Sequence, residues 1–150
     1  MRNTFFRRQS THLNYNAPTI SIAIQPTDAT VSNGSTATFT GIATVQFNSA
    51  DNSGSGSFSY QWYEGTSPVV SSGNITVTGA ATTVLTIDNP INPDDDERQF
   101  YLKATFTPTY TGIATENPTP PAPIDYVDSD TATLIVHPSL TIGSIGSAEE

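Results

Sequence analysis

The sequence predicts an all-β sandwich of two packed sheets, carrying an extended N-terminal arm. Three observations lead there. Phe58-Ser59-Tyr60-Gln61-Trp62-Tyr63-Glu64 alternates apolar and polar residues around the single tryptophan of the 150-residue chain. Phe58, Tyr60 and Trp62 then share one face of a strand, with Ser59, Gln61 and Tyr63 on the other. Further period-two runs rich in β-branched and aromatic residues recur along the chain, each bounded by Gly, Pro, Asn, Asp or Ser. No stretch carries a helical period.

Taken in order, residues 1–18 form an arm without a clean period of either kind. It mixes Arg2, Arg7 and Arg8 with Phe5, Phe6, Leu13 and Tyr15. Two readings stand: a disordered terminus, and a docking segment that orders on a partner, since aromatics and Arg are enriched at interface hot spots. Thr19 to Val31 reads as a strand split at Pro26, which marks an edge or a switch between sheets because proline cannot donate to a ladder. Ser32-Asn33-Gly34-Ser35 is a turn. Thr36 to Phe47 reads as one long strand, with Ala37, Phe39, Gly41, Ala43, Val45 and Phe47 on one face. Asn48 to Ser57 is a flexible loop by composition.

After the tryptophan strand, Gly65-Thr66-Ser67-Pro68 turns the chain and Val69-Val70 forms a short edge strand. Ser71 to Asn74 is a further turn. Ile75–Thr78 and Ala81–Ile87 follow as strands, Leu85 and Ile87 pointing inward. Asp88 to Glu97 is a corner, fixed by Pro90, Pro93 and the Asx residues. Arg98 to Thr107 is a strand with Phe100, Leu102, Ala104 and Phe106 inward. Pro108 to Val127, with Pro118, Pro120, Pro121 and Pro123, reads as a long loop. Asp128 to Val136 is the last strand, with Ala132, Leu134 and Val136 inward. Residues 138–150 are a Gly/Ser-rich tail or linker, leaving 19–137 as the sandwich.

Charge is segregated along the chain. The net charge is −9, yet residues 1–18 hold three of the five basic residues and no acid. The remainder sets Arg98 and Lys103 against all 14 acids. Such a body repels nucleic acid and anionic membrane, so neither is an expected partner. No apolar run reaches the ~18 residues of a membrane helix. With Cys 0 there is no disulfide framework, thiolate metal site or Cys nucleophile.

No catalytic constellation stands out, and no cofactor motif is present. His12 lies in the arm and His137 at the end of the last strand, neither with a catalytic partner. Asp94-Asp95-Asp96-Glu97 is the one dense carboxylate cluster. Solvated, turn-forming acids are the expectation there, with Ca²⁺ held on crowded hard oxygens as the alternative. Tyr63, Tyr110 and Tyr126 are candidate exposed aromatics. Tyr63 is expected to pack on a neighbouring strand or loop, while Tyr110 and Tyr126 lie in or beside the Pro-rich segment as possible surface contacts.

The pattern from Gly34 to Val136 resembles the immunoglobulin-like domain, in the disulfide-free form of bacteria and tailed phages. Gly34-Ser-Thr-Ala-Thr-Phe39 resembles that family's second strand and Tyr60-Gln-Trp-Tyr63 its tryptophan strand. Thr83-Val-Leu-Thr-Ile87, followed by Asn-Pro-Asp-Asp-Asp-Glu-Arg-Gln-Phe100, resembles its corner. The resemblance puts Gly41 and Leu102 in the places of the two cysteines. It puts Phe100 in the place of the corner tyrosine, whose hydroxyl bond is therefore lost.

What the resemblance implies is a non-enzymatic structural or accessory protein of a tailed-phage virion: a capsid decoration or a neck, tail or baseplate component, homo-oligomeric or present in many copies within an assembly. Its partners would be other virion proteins and, at the host surface, glycans. The basic arm would be the anchor, with Arg2, Arg7 and Arg8 pairing with acids and Phe5 and Phe6 filling apolar pockets. No secretory signal pattern is read at the N-terminus, where no apolar segment follows the charges. Synthesis in the host cytoplasm and release by lysis agree with that. An adhesin or carbohydrate-binding module acting on a bacterial surface is the alternative.

Overall fold

The computed structural model describes residues 18–47, 55–109 and 125–139. Residues 1–17, which carry the predicted contacts Arg2, Phe5, Phe6, Arg7 and Arg8, lie outside them, as do Tyr110 and most of the predicted tail.

The described chain is all strand and turn. In order come β1 (Thr19–Ile24), β2 (Ala29–Ser32), β3 (Ala37–Thr40), β4 (Ile42–Gln46), β5 (Ser55–Glu64) and β6 (Ser67–Pro68). Then follow β7 (Thr76–Thr78), β8 (Val84–Asp88), β9 (Arg98–Thr109), β10 (Asp125–Asp128) and β11 (Ala132–His137). One sheet has the order β2-β11-β9-β5-β6, with β10 also on β9; opposite it stand β3-β8-β7 and the pair β1-β4. All pairings are antiparallel except that of β2 with β11. Two facing sheets in this order are an immunoglobulin-like sandwich.

The inward positions predicted from period two are the core. Trp62, Leu85, Ile87, Phe100, Leu102, Ala104, Ala132 and Leu134 are all fully buried, with Phe39, Phe106 and Val136 nearly so. Phe39 packs on Phe100 at 5.3 Å and Trp62 at 6.4 Å between ring centroids. The Trp62 indole N–H is not stranded in this apolar setting, since it donates to the Thr82 carbonyl at 2.9 Å.

Several boundaries differ from the sequence reading. Pro26, itself buried, does mark a switch: β1 pairs β4, whereas β2 crosses to the other sheet beside β11. The predicted long strand Thr36–Phe47 is two strands, broken at Gly41. There β3 leaves β8, and β4 takes β1 as its partner. The edge strand after the first turn is Ser67–Pro68, while Val69 is buried in the core and Val70 exposed. Ala81 to Thr83 form a turn that leads into β8.

The predicted loops are shorter at their ends. Ser55 to Ser57 belong to β5, and Pro108 and Thr109 to β9. Pro108 is tolerated because the β9 residues of its parity turn their N–H away from β5; Leu102, on that side, bonds to Ser129 Oγ instead. The segment Asp125–Val127, read as loop, is the start of β10, paired with β9 from Asp125↔Phe106 to Asp128↔Lys103. No periodic run announced it, because its four residues gain strand geometry from a ladder supplied by β9.

A candidate binding face on the outer sheet

Residues of β5, β9 and β10 that alternate with the buried ones point to solvent. Trp62 and Leu102 are registered partners facing the core, so their neighbours Tyr63 and Tyr101, also registered partners, face outward. Their rings stack at 5.5 Å between centroids with planes 17° apart. Lys103 stands two residues on, opposite Gln61 on one side and Asp128 on the other. Its Nζ lies 5.3 Å from the Tyr63 ring centroid and 4.6 Å from that of Tyr126. The result is a row, Tyr101–Tyr63–Lys103–Tyr126, of two stacked rings, an ammonium and a third ring.

The row is ordered by its own contacts. A cation over two ring faces gains about 0.5–1 kcal/mol at an exposed site. Asp128 Oδ1, 3.9 Å from Nζ, adds a weak surface pair. Tyr101 and Lys103 both lie against the Tyr63 ring, and that residue is half-buried. Tyr126 is different: it is 57% exposed, with Lys103 on its ring. Aromatic side chains held in this way bring large contact area at little entropic cost on binding.

Tyr63 and Tyr126, both singled out from sequence, meet on this face, and Tyr63 packs on a neighbouring strand as expected. Tyr101 and Lys103 were missed. The signal for them was present, since both are outward positions of the strand whose inward set was read as Phe100, Leu102, Ala104 and Phe106. Their convergence with Tyr126 was not legible, because β10 was read as loop.

The carboxylate cluster corrects a second expectation. Asp94 and Glu97 are exposed, but Asp95 is only 5% exposed and Asp96 half-buried. Asp95 accepts from the Ile91 N–H at 3.0 Å, from Asn74 Nδ2 at 3.2 Å and from Arg98 at 2.8 Å. Arg98 also makes a two-point contact with Glu64, at 2.9 and 2.7 Å. Asp96 accepts from the Val136 N–H and from Asn92. Asp95 and Asp96 fasten the corner from β5 to β11, while Asp94 and Glu97 are the solvated turn acids that were expected. Burial pushes the Asp95 carboxyl up, but the hydrogen bonds from Ile91, Arg98 and Asn74 and the charge of Arg98 outweigh it and hold its pKa below the ordinary value. The Glu64 contact raises the Arg98 guanidinium against its burial, with help from Asp95. Among the described residues, no group of three or more His, Asp or Glu is arranged to hold a metal ion. His137 is exposed at the end of β11. No described helix is long and apolar enough to cross a membrane.

No protein-family model matches the chain, and no curated protein matches it. Among solved structures, the chain is similar to the N-terminal Ig1-2 module of the Drosophila receptor protein tyrosine phosphatase DLAR. That match has 16% identity over 80% of this chain and 50% of the other, with a TM-score of 0.43. It is similar also to the titin M10–obscurin-like 1 Ig complex (12%; 83% and 100%; 0.48) and to domain D1 of Duf (Kirre) (16%; 81% and 100%; 0.47). The chain spans about half the length of the DLAR module. The class is defined by the strand order itself: an immunoglobulin-like β-sandwich.

Proposed function

We propose that this chain is a non-enzymatic binding module, a structural or accessory component of a tailed-phage virion, which engages a protein surface through the outer face of its six-strand sheet. The observation that carries the binding reading is the row Tyr101–Tyr63–Lys103–Tyr126. It places three phenol rings and one ammonium on one solvent-facing surface of an otherwise acidic body. Seating on the particle is assigned to the basic arm, residues 1–18, by its charge and by the resemblance of the sequence to phage immunoglobulin-like domains. The mechanism is contact formation: phenol edges and hydroxyls meet the partner's polar groups, and Lys103 meets an acceptor.

The test is affinity capture from a lysate of infected host cells, read by mass spectrometry, with three chains: the full chain, one lacking residues 1–18, and a Tyr63→Ala/Tyr126→Ala variant. Retrieval of capsid or tail proteins by the full chain and not by the arm-less one supports virion anchoring. Loss of a further, arm-independent set with the tyrosine variant supports the face as the second contact. Identical catches by all three chains sink both assignments. The exposure of Tyr126 favours a second reading, an adhesin or carbohydrate-binding module whose exposed aromatic rests on a sugar. Retrieval of the same host envelope components with and without the arm would select it.

A further inference from the structure

We infer that the open edge of β5 is a self-complementary pairing edge for a second copy of this chain. From Ser55 to Tyr63 β5 pairs β9 on one side, in unbroken register from Ser55↔Thr109 to Tyr63↔Tyr101. Among the described residues its other side is covered only at one end. The Trp62 N–H donates to the Ala80 carbonyl, the Trp62 carbonyl accepts from Val69, and β6 reaches no further than Tyr63. Trp62 therefore turns its backbone groups away from β9. In an unbroken strand so do the residues two, four and six earlier, Tyr60, Phe58 and Gly56. Among the described residues nothing pairs with their outward N–H and C=O groups.

Edges left in this condition normally carry Lys, Pro or a bulge that blocks pairing. Ser55-Gly56-Ser57-Phe58-Ser59-Tyr60 has none of these and no charge. That neutrality points to the occupant. In a chain of net charge −9, this is a stretch where a second copy can approach without like charges facing each other. The residue pattern points the same way. A twofold axis at Phe58 sets Phe58 opposite Phe58 of the second copy, and Gly56 opposite its Tyr60, with the reciprocal pair. Each of these pairs exchanges two backbone bonds, and a register shifted toward Trp62 loses one pair to the position blocked by Ala80. The Tyr60 ring then lies over a glycine, an arrangement that stabilises paired strands. It meets Phe106, whose ring already fills the space of a Gly56 side chain, 2.2 Å from where that Cβ would stand. The inner apolar strip Phe47–Phe106–Phe58–Tyr60, with centroids 6.1, 5.0 and 5.9 Å apart, continues across the axis into its copy. On the outer side, Ser57 faces Ser59 of the second copy.

Salt gives this pairing a distinctive sign. Two acidic bodies brought together by neutral edges associate more strongly as ionic strength rises, because screening relieves their repulsion. Contact between a basic arm and an acidic body weakens instead. The experiment is light scattering and sedimentation velocity on the full chain, at concentrations up to hundreds of micromolar and at low and high salt. A second measurement uses Ser57→Cys/Ser59→Cys under mild oxidation, in a chain that has no other cysteine. The expected results are a doubling of mass that grows with protein and salt, covalent dimer from the double cysteine variant, and monomer from Ser57→Lys/Ser59→Lys with its thermal midpoint unchanged. A full chain that stays monomeric throughout overturns the inference, as does a dimer that survives the lysine pair or that salt dissolves. The inference is independent of the tyrosine face: a monomer that still captures its partners fails this test and passes the other.

Discussion

Gly41 and Leu102 face each other across the sandwich. A Cβ built on Gly41 would stand 3.4 Å from the Leu102 Cβ and 2.8 Å from its Cδ2. The leucine fills the space that the glycine leaves, beside a fully buried Trp62. These are the positions the family resemblance assigned to a cysteine pair, and the packing replaces a covalent tie with a large–small contact.

Gly41→Cys/Leu102→Cys should therefore form a disulfide, because the Cβ separation is close to what such a bond requires, about 3.5–4.5 Å. The oxidised variant should gain about 2–4 kcal/mol over its reduced form, read by urea denaturation with and without reductant. The single change Gly41→Ala should cost about 1–3 kcal/mol by overpacking. Free thiols in the folded, air-oxidised double variant would count against the geometry.

Asp95 should make stability pH-dependent. Its pKa is lower in the folded chain than the ordinary 3.8, so the stability it contributes is fully present above that value. It is lost as pH falls through the lower folded value. Asp95→Asn should cost about 3 kcal/mol at neutral pH, by leaving Arg98 short of a partner in a buried position. The gap in thermal midpoint between the two chains should narrow on acidification below about pH 4. A gap constant from pH 7 to pH 2 would show that the carboxylate charge is not the source.

The tyrosine row should be dispensable for folding. Tyr63→Ala and Tyr126→Ala should each lower stability by no more than about 1 kcal/mol, as expected for exposed ring and cation contacts. Partner capture should fall in the same variants. Cooperative unfolding at a much lower temperature would instead assign the row to structure.

Trp62 should report on the core alone. As the one tryptophan, fully buried, it should emit in the blue and resist acrylamide, shifting red in a single step with global unfolding. Trp62→Phe should cost about 2–3 kcal/mol, from lost volume and from the Thr82 carbonyl left without its donor. Early quenching, before the circular-dichroism transition, would place the ring nearer solvent than it stands here.

The inward sets of β8, β9 and β11 were readable one residue at a time. A strand buried on one face must alternate, and Leu85, Phe100 or Leu134 cannot be moved to the other face without exposing the rest. The candidate face was only half readable. Tyr63 and Tyr126 could be named as exposed aromatics, but the cross-strand neighbours Tyr101 and Lys103 enter through register, which no local pattern encodes. The acids of the corner misled for a related reason. Asp95 and Asp96 have the composition of a solvated turn, and they are held by backbone and side-chain donors from Ile91, Asn74, Arg98 and Val136 that folding brings together.

By itself the sequence determined the all-β class, the tryptophan-centred core, the inward residues of β8, β9 and β11 and the segregation of charge. These follow from periodicity and composition, which are local. Tertiary structure alone decided that the run Thr36–Phe47 breaks at Gly41, that Asp125–Asp128 becomes a strand, that Asp95 is buried beside Arg98, and which aromatics share a surface. Each depends on hydrogen bonds and close packing between residues far apart in the chain, and such contacts exist only once the sheets have paired.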